Sequence, residues 1–366
     1  MALPSIRGFA VSGGAVTRAG SPAIRVLVKV TASDGASGWG EATPIPAWTY
    51  ETVESITTTI DRHLAPVARE RPAWDTDGLT LAFDRAFNRG FSIGAPLAKA
   101  AVDVAVHDLL GRVFGVPVGV LWGSRRVETV RLAWIVSGET PDEVAGTAAE
   151  GRERGYDAFK VKVGLHGESG DLDHVRAVRD SAPDAYLWVD ANQGYAVDVA
   201  IRLSRRMADL GVAAFEQPLP ANDIAGLRRL RVASPVPVAL DESLRHPNDL
   251  ATFVKLDAVD VAIAKVQRSG GLTLSRRLCA FAEDAGVRLM GSGLTESDLG
   301  LAASLQLFSA FGIDTPVDLN GRQFNGSPHA RAPTVKITDG VAQVPSGPGL
   351  GVDADEDTVR DLAIVV

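Results

Sequence analysis

Apolar residues between positions 130 and 318 gather into short runs, each closed by a polar or charged residue. The runs cover residues 130–135 (VRLAWI), 157–164 (DAFKVKVG), 186–190 (YLWVD), 213–216 (AAFE), 236–241 (VPVALD), 259–265 (VDVAIAK), 287–292 (VRLMGS) and 316–318 (PVD). Their polar ends, at Lys162, Asp190, Glu216, Asp241, Lys265, Ser292 and Asp318, recur every 24 to 28 residues. Runs this short and β-branched predict buried strands. Helical stretches separate them. Thr140-Pro141-Asp142-Glu143 reads as a capping box with proline at N1, and Gly155, Gly211, Gly286 and Gly312 suit the position just past a helix. Eight strands alternating with helices at one period predict a closed parallel barrel of the (β/α)₈ type. Internal similarity is weak, so the period reflects architecture rather than recent duplication.

The flanking segments follow another pattern. Residues 23–32 (AIRVLVKVTA) alternate as a strand, Asp34-Gly35 is a turn signal, and residues 38–43 (GWGEAT) return as the partner. Helices are expected over 52–65 and 96–111, the second ending at Gly111. This predicts an α+β capping domain over 1–125, a barrel over 126–320, and a segment 321–366 packing back on the cap. That last segment carries a hairpin around Asp339-Gly340. The glycine-containing stretch 12–22 and the proline-broken stretch 44–50, with Trp48 and Tyr50, are expected to be mobile lids over the barrel mouth.

Composition adds exclusions. The 366-residue chain is 46% hydrophobic, carries a formal charge of −8 and has a pI near 5.3. No basic cluster points to nucleic acid, and no apolar run points to a membrane. The single Cys279 cannot form an internal disulfide and sits in an apolar stretch. A cytoplasmic protein, assembled as a homo-oligomer, is expected.

The strand ends carry the chemistry, because in this fold the site lies at the carboxyl ends of the strands. Lys160 and Lys162, two residues apart on one strand, share a face. Crowding and desolvation are expected to lower their pKa values and make a base. Asp190, Glu216 and Asp241 end three successive strands. Three carboxylates without histidine or thiolate form a hard oxygen site suited to Mg²⁺, with Mn²⁺ an alternative, and not to Zn²⁺. A lone strand-end aspartate commonly caps a helix; three in succession, flanked by lysines, indicate a metal site. Asn192 and Glu242 are expected to support it from outside. Lys265 stands on the other side, so a carboxylate bound at the metal would lie between lysines on opposite faces. That arrangement suits inversion of a stereocentre. Glu296 is read as complementing a helix dipole, and Ser269-Gly270-Gly271 lacks the remainder of a phosphate loop.

Taken together, KVKVG (160–164), VDANQGY (189–195), FEQP (215–218), ALDES (239–243) and AKVQRSGG (264–271) resemble the enolase superfamily, in its muconate-lactonising branch. Trp39-Gly40-Glu41 and PGLGV (348–352) extend the resemblance over essentially the whole chain. The resemblance implies a modified (β/α)₇β barrel with Mg²⁺ on Asp190, Glu216 and Asp241. It also implies Lys162 and Lys265 as the acid/base pair, with Lys160 assisting electrostatically.

The reaction expected is abstraction of the proton α to a carboxylate through a stabilised enediolate, above all racemisation or epimerisation of an amino-acid derivative or dipeptide. o-Succinylbenzoate synthase, hydroxyproline-type dehydratase and muconate-type cycloisomerase chemistry are alternatives, and a catalytically inactive binding protein is a remote one. Dipeptide epimerases carry Asp-x-Asp at the last strand; here Asp318 stands and the second position is Asn320. Asp318, Asn320, Ser292, Trp48 and Tyr50 are therefore the expected substrate contacts, with Asp318 facing a cationic amine.

Overall fold

Each of the sequence's strand runs supplies one stave of a parallel sheet. A computed structural model describes residues 6–18, 21–69, 71–319, 321, 330–331 and 334–364. Strands β1 (Ile6–Arg18), β2 (Ser21–Ala32) and β3 (Ser37–Ala42) form an antiparallel meander, and Ala363–Ile364 adds a fourth strand beside β1. Next come β4 (Thr129–Arg131), β5 (Trp134–Val136), β6 (Ala158–Lys162), β7 (Tyr186–Asp190), β8 (Ala214–Glu216), β9 (Val238–Leu240), β10 (Val261–Ala264) and β11 (Arg288–Gly291). Strands β5 to β11 lie side by side in chain order, all parallel, each followed by a helix.

Residues 316–318 close the ring. Val317 bridges Leu132 and Asp318 bridges Ser292, both in parallel sense, and Asp318 N–H donates to Gly291 O at 3.0 Å. The result is the (β/α)₇β barrel, its last stave without a crossover helix. Ala133, Ala158, Ala214 and Ala239 line the interior beside Trp188, Ile263 and Met290. Small residues opposite one large indole fill a ring this narrow.

Glycine sets the approach of the capping elements. The β3 strand lies against the 19-residue helix Pro96–Phe114 so closely that a Cβ on Gly40 would stand 2.0 Å from Ala101 O. That helix runs past its expected end at Gly111, which instead admits the backbone of Gly349: a Cβ there would lie 2.5 Å from Gly349 Cα. It stops at Gly115, where φ is +69°. Residues 12–18, expected to be a lid, belong to β1 and pair in continuous register with β2. Glycine there suggests a loop, but Gly13 and Gly14 are paired on both sides, with β2 and with Ala363–Ile364. The 44–50 stretch is a loop, with Trp48 and Tyr50 mostly exposed.

The run 130–135 splits in two. Its β4 half pairs antiparallel with Val341–Gln343, and at Leu132 the backbone changes partner to enter the barrel as β5. The tail hairpin, Ile337–Thr338 with Val341–Gln343, turns at Asp339-Gly340 as its sequence indicates.

Candidate active site

Every strand-end group named from the sequence lies at the carboxyl rim of the barrel. In strand order around the ring, Lys160 and Lys162 sit on the second stave, Asp190 on the third and Glu216 on the fourth. Asp241 and Lys265 directly follow the fifth and sixth, and Asp318 lies on the eighth. Lys162 and Lys265, four staves apart in a ring of eight, therefore face one another across the mouth.

Lys160 is the buried hub, 1% exposed. Its ammonium contacts Asp318 Oδ2 at 2.7 Å, Glu216 Oε1 at 2.8 Å and Asp190 Oδ2 at 2.9 Å. The expected depression of its pKa does not occur. Burial alone would lower it, but Asp190, Asp318 and Glu216 together outweigh burial and hold the ammonium well above the ordinary lysine range. The two lysines share a face and both reach Asp190 Oδ2, whose charge lies between their ammonium groups. Lys162, further out, donates to Asp190 Oδ2 and Asn192 Oδ1, both at 2.7 Å. Lys265 reaches Asp241 Oδ2 at 2.6 Å.

The acids diverge in character. Burial would raise Asp190, but Lys160 and Lys162 pull it far below the usual carboxylate range. Asp241 is likewise held to about 2, by Arg268 and Lys265 against burial. Glu216 is pushed up to about 8 by burial and by Asp190 beside it. Glu242 is raised for the same reasons, burial first, then Asp241 and Asp190. Its Oε1 accepts from Asn192 Nδ2 at 3.0 Å.

Among the described residues, no three His, Cys, Asp or Glu side chains surround one point at ligand distance; Asp190 and Glu216 close on the Lys160 ammonium instead. The donor set nonetheless fits a hard divalent cation. It is all oxygen, it comes from three adjacent staves, and Asp241 Oδ1 is buried without a hydrogen-bond partner. The raised Glu216 reflects burial first and then the negative charge of Asp190 beside it, and a bound cation would offset both.

Three supporting groups lie outside the residues singled out from the sequence. Trp188 Nε1 donates to Glu216 Oε2 at 2.9 Å from inside the barrel. Gln217, at a left-handed φ of +35°, accepts from Asp241 N and Ser243 N at 3.0 and 3.1 Å and so fixes the next strand end. Arg268 is buried with Nε 3.4 Å from Asp241 Oδ1. The spacing of AKVQRSGG could have indicated Arg268, three residues after Lys265; the other two depend on pleat and turn geometry.

Of the expected substrate contacts, Asp318 points into the mouth and is buried, and Ser292 Oγ lies 3.4 Å from its Oδ2. The Trp48 ring lies 5.8 Å from Lys162 Nζ. Tyr50 instead accepts from Arg245 Nη2 at 2.9 Å. Asn320 lies outside the described residues. Glu296 does not serve the helix dipole: it precedes the N-cap Ser297, turns inward to Leu294 N at 2.7 Å, and is raised to about 8 by burial.

A capped (β/α)₇β barrel with lysines on opposing staves and three rim carboxylates between them defines an enolase-type architecture. Residues 10–123 match the N-terminal domain model of mandelate racemase / muconate lactonizing enzyme, and residues 143–358 match the enolase C-terminal domain-like model. Muconate cycloisomerase 1-2 of Acinetobacter lwoffii is 33% identical over 92% of this chain and 87% of its own length. L-Ala-D/L-Glu epimerase of Bacillus subtilis is 29% identical over 89% and 88%. The crystal structure of an N-succinyl Arg/Lys racemase from Bacillus cereus superimposes with a TM-score of 0.92 at 26% identity, covering 99% of this chain and 98% of its own. The chain belongs to the mandelate racemase/muconate lactonizing enzyme branch of the enolase superfamily. No helix among the described residues is long and apolar enough to cross a membrane.

Proposed function

We propose that the protein is a Mg²⁺-dependent isomerase that moves the proton α to a substrate carboxylate, racemising or epimerising an amino-acid derivative or dipeptide. The observation that carries this reading is the placement of Lys162 and Lys265 on staves four apart. Asp190, Glu216 and Asp241 would hold the ion, which when bound supplies Lewis-acid stabilisation of charge developing on the substrate carboxylate. One lysine takes the proton from the α-carbon on its own face, leaving an enediolate. The other returns a proton to the opposite face, and the stereocentre inverts. Lys160 stays protonated at the floor and adds fixed positive charge where negative charge develops. The rim loop 44–50 covers the Lys162 side.

A second reading is cycloisomerisation of an unsaturated dicarboxylate, favoured by the 33% identity to a muconate cycloisomerase. It needs only one lysine to exchange a proton at the α-carbon. Both readings are tested in deuterated buffer with Mg²⁺, using the two enantiomers of N-succinyl-lysine, the two glutamyl epimers of Ala-Glu, and cis,cis-muconate. Mass gain at the α-carbon of both stereoisomers, lost on opposite faces in Lys162→Ala and Lys265→Ala, supports the two-base isomerase. Turnover of muconate alone would replace it with the second reading.

A further inference from the structure

The two lysines are held by different parts of the chain. Lys265 begins a tight turn, residues 265–271, that leads into the helix Leu272–Asp284; β11 leads in the same way to the helix Asp298–Phe311. The first helix has Gly271 at its N-cap, with no side chain to cap it. Asp103, from the middle of the capping helix, does so instead, accepting from Thr273 N at 3.1 Å and from Thr273 Oγ1. A Cβ on Gly271 would lie 2.4 Å from Asp103 Oδ2, so glycine leaves the space that this carboxylate fills.

The second helix shows the same device. A capping box puts an acid at N3 that bonds the N-cap backbone, but here N3 is Gly300. Glu41 of β3 supplies the acid, accepting from Ser297 N at 2.9 Å, from Ser297 Oγ and from Gly300 N at 3.3 Å. Glu41 is itself ion-paired with buried Arg25 at 2.9 Å. Between the two caps, Thr43 and Gln267 form a reciprocal pair. Thr43 N donates to Gln267 Oε1 at 2.7 Å, and Gln267 Nε2 donates to Thr43 Oγ1 at 3.2 Å. All four residues are buried.

Among the described residues the turn after Lys162 has no such hydrogen bonds from the capping domain, whose Trp48 ring lies 5.8 Å from Lys162 Nζ. Asp171, on the following barrel helix, accepts from Leu165 N and His166 N at 3.4 and 3.2 Å, and from Tyr195 Oη at 2.6 Å. Each of these partners is a barrel residue.

We infer that Asp103, Glu41 and the Thr43–Gln267 pair are positioning residues through which the capping domain sets the Lys265 half of the site by hydrogen bonds, while the hydrogen bonds that set the turn after Lys162 come from the barrel. The capping domain thereby becomes part of the proton-transfer geometry on one face. The catalytic arm of the test rests on the two-base reading above; the backbone arm does not.

Gln267→Met keeps the side chain's bulk and removes both bonds to Thr43. In deuterated buffer with Mg²⁺, with the enantiomers of N-succinyl-lysine and the epimers of Ala-Glu as probes, it should slow α-proton exchange about tenfold or more for the stereoisomer that Lys265→Ala silences. The stereoisomer served by Lys162 should change less than about twofold, because small misplacements of one base act on its own face. Tyr195→Phe should give the reverse pattern. Equal slowing of both stereoisomers by Gln267→Met, or none of either, overturns the inference. If the unmodified enzyme exchanges no probe, the functional reading fails, and amide hydrogen exchange decides the positioning separately. Gln267→Met and Asp103→Asn should speed exchange over 266–273 and leave 163–171 unchanged. Unaltered exchange over 266–273 in both variants overturns it.

Discussion

Replacing Lys160 with methionine is the sharpest perturbation of the buried charge cluster. Methionine keeps most of the volume, so packing on Trp188 changes little. The charge it removes is the one shared by Asp190, Glu216 and Asp318 at 2.7 to 2.9 Å. Leaving a buried carboxylate uncompensated costs about 3–5 kcal/mol. Metal-free Lys160→Met should lose stability of that order at pH 7.5. The sign with pH follows from proton uptake. Without the ammonium the buried acids hold protons that the unfolded chain releases, so their folded pKa values lie above the unfolded ones. Stability is then fully present below the ordinary carboxylate range and is lost as pH rises. One extra proton bound in the folded state gives a slope of about −1.4 kcal/mol per pH unit. The deficit should be small near pH 4.5 and full near pH 8, the range over which Glu216 is already raised in the unmodified protein. Urea unfolding at several pH values measures it. Mg²⁺ at about 100 times its dissociation constant should return about 2.7 kcal/mol, since it supplies the missing charge to the folded state alone. A variant as stable as the unmodified protein at pH 7.5, with no added slope, would refute the hub assignment.

Three further outcomes are expected. Asp241→Asn should weaken Mg²⁺ binding by at least about 100-fold in calorimetry, because the loss of a ligand exceeds the effect of its supports; undiminished binding would remove Asp241 from the metal set. Trp188→Phe removes the donor to Glu216 Oε2, should cost about 1–3 kcal/mol in urea unfolding, and should weaken Mg²⁺ binding about 10-fold or more. Asp103→Asn tests the cap–barrel contact by pH. Burial opposes it, but Asp103 raises His107 while Arg276 weakly lowers it, and His107 and Thr273 in turn lower Asp103. The stability that the pair contributes is therefore present between the ordinary Asp and His values, lost in acid as Asp103 protonates, and lost in base as pH passes the raised His107 value. The variant should flatten the loss above pH 6.5; an unchanged profile would show that the pair does not contribute it.

The barrel was legible because its register is simple. A strand whose last residue faces the rim carries its polar group there, and the 24- to 28-residue spacing repeats that placement from Lys162 to Asp318. Which polar group meets which could not be read in the same way. Lys160 and Lys162 share a face, yet one sits a layer deeper, and only ring closure brings Asp318 to the first of them. Asp190 first, then Asp318 and Glu216, reverse the pKa expected of Lys160 against burial. Glycine misled the reading twice. Gly13 and Gly14 lie within a paired strand, and Gly111 admits a close backbone neighbour inside a helix, where composition indicated a loop and a terminus. The trans-acting acids on the 272–284 and 298–311 helices leave little trace in sequence: Gly271 stands at the first N-cap, and Ser297, which caps its own helix by accepting from Leu299 N, is followed by Gly300 where a capping-box acid would stand.

Asp318 bears most directly on the substrate. Its Oδ2 accepts from Lys160 at 2.7 Å, an ammonium that Asp190 and Glu216 share, while Oδ1 is buried with no hydrogen-bond partner. What Oδ1 lacks is a donor. Substrates offering an N–H there, as an ammonium or an amide, would satisfy Oδ1. An unsaturated dicarboxylate offers none and would leave that atom unpaired, at a cost of about 1–3 kcal/mol. The same atom thus separates the epimerase reading from the cycloisomerase reading through an absent hydrogen bond, which discriminates better than added apolar contact. Asp318→Asn tests this, because the amide can still accept but also presents N–H where the carboxylate could only accept. For N–H-bearing substrates the variant should raise KM about tenfold and change kcat less. A variant unchanged towards N-succinyl-lysine and Ala-Glu, or one impaired only towards muconate, would assign Asp318 to holding Lys160 alone.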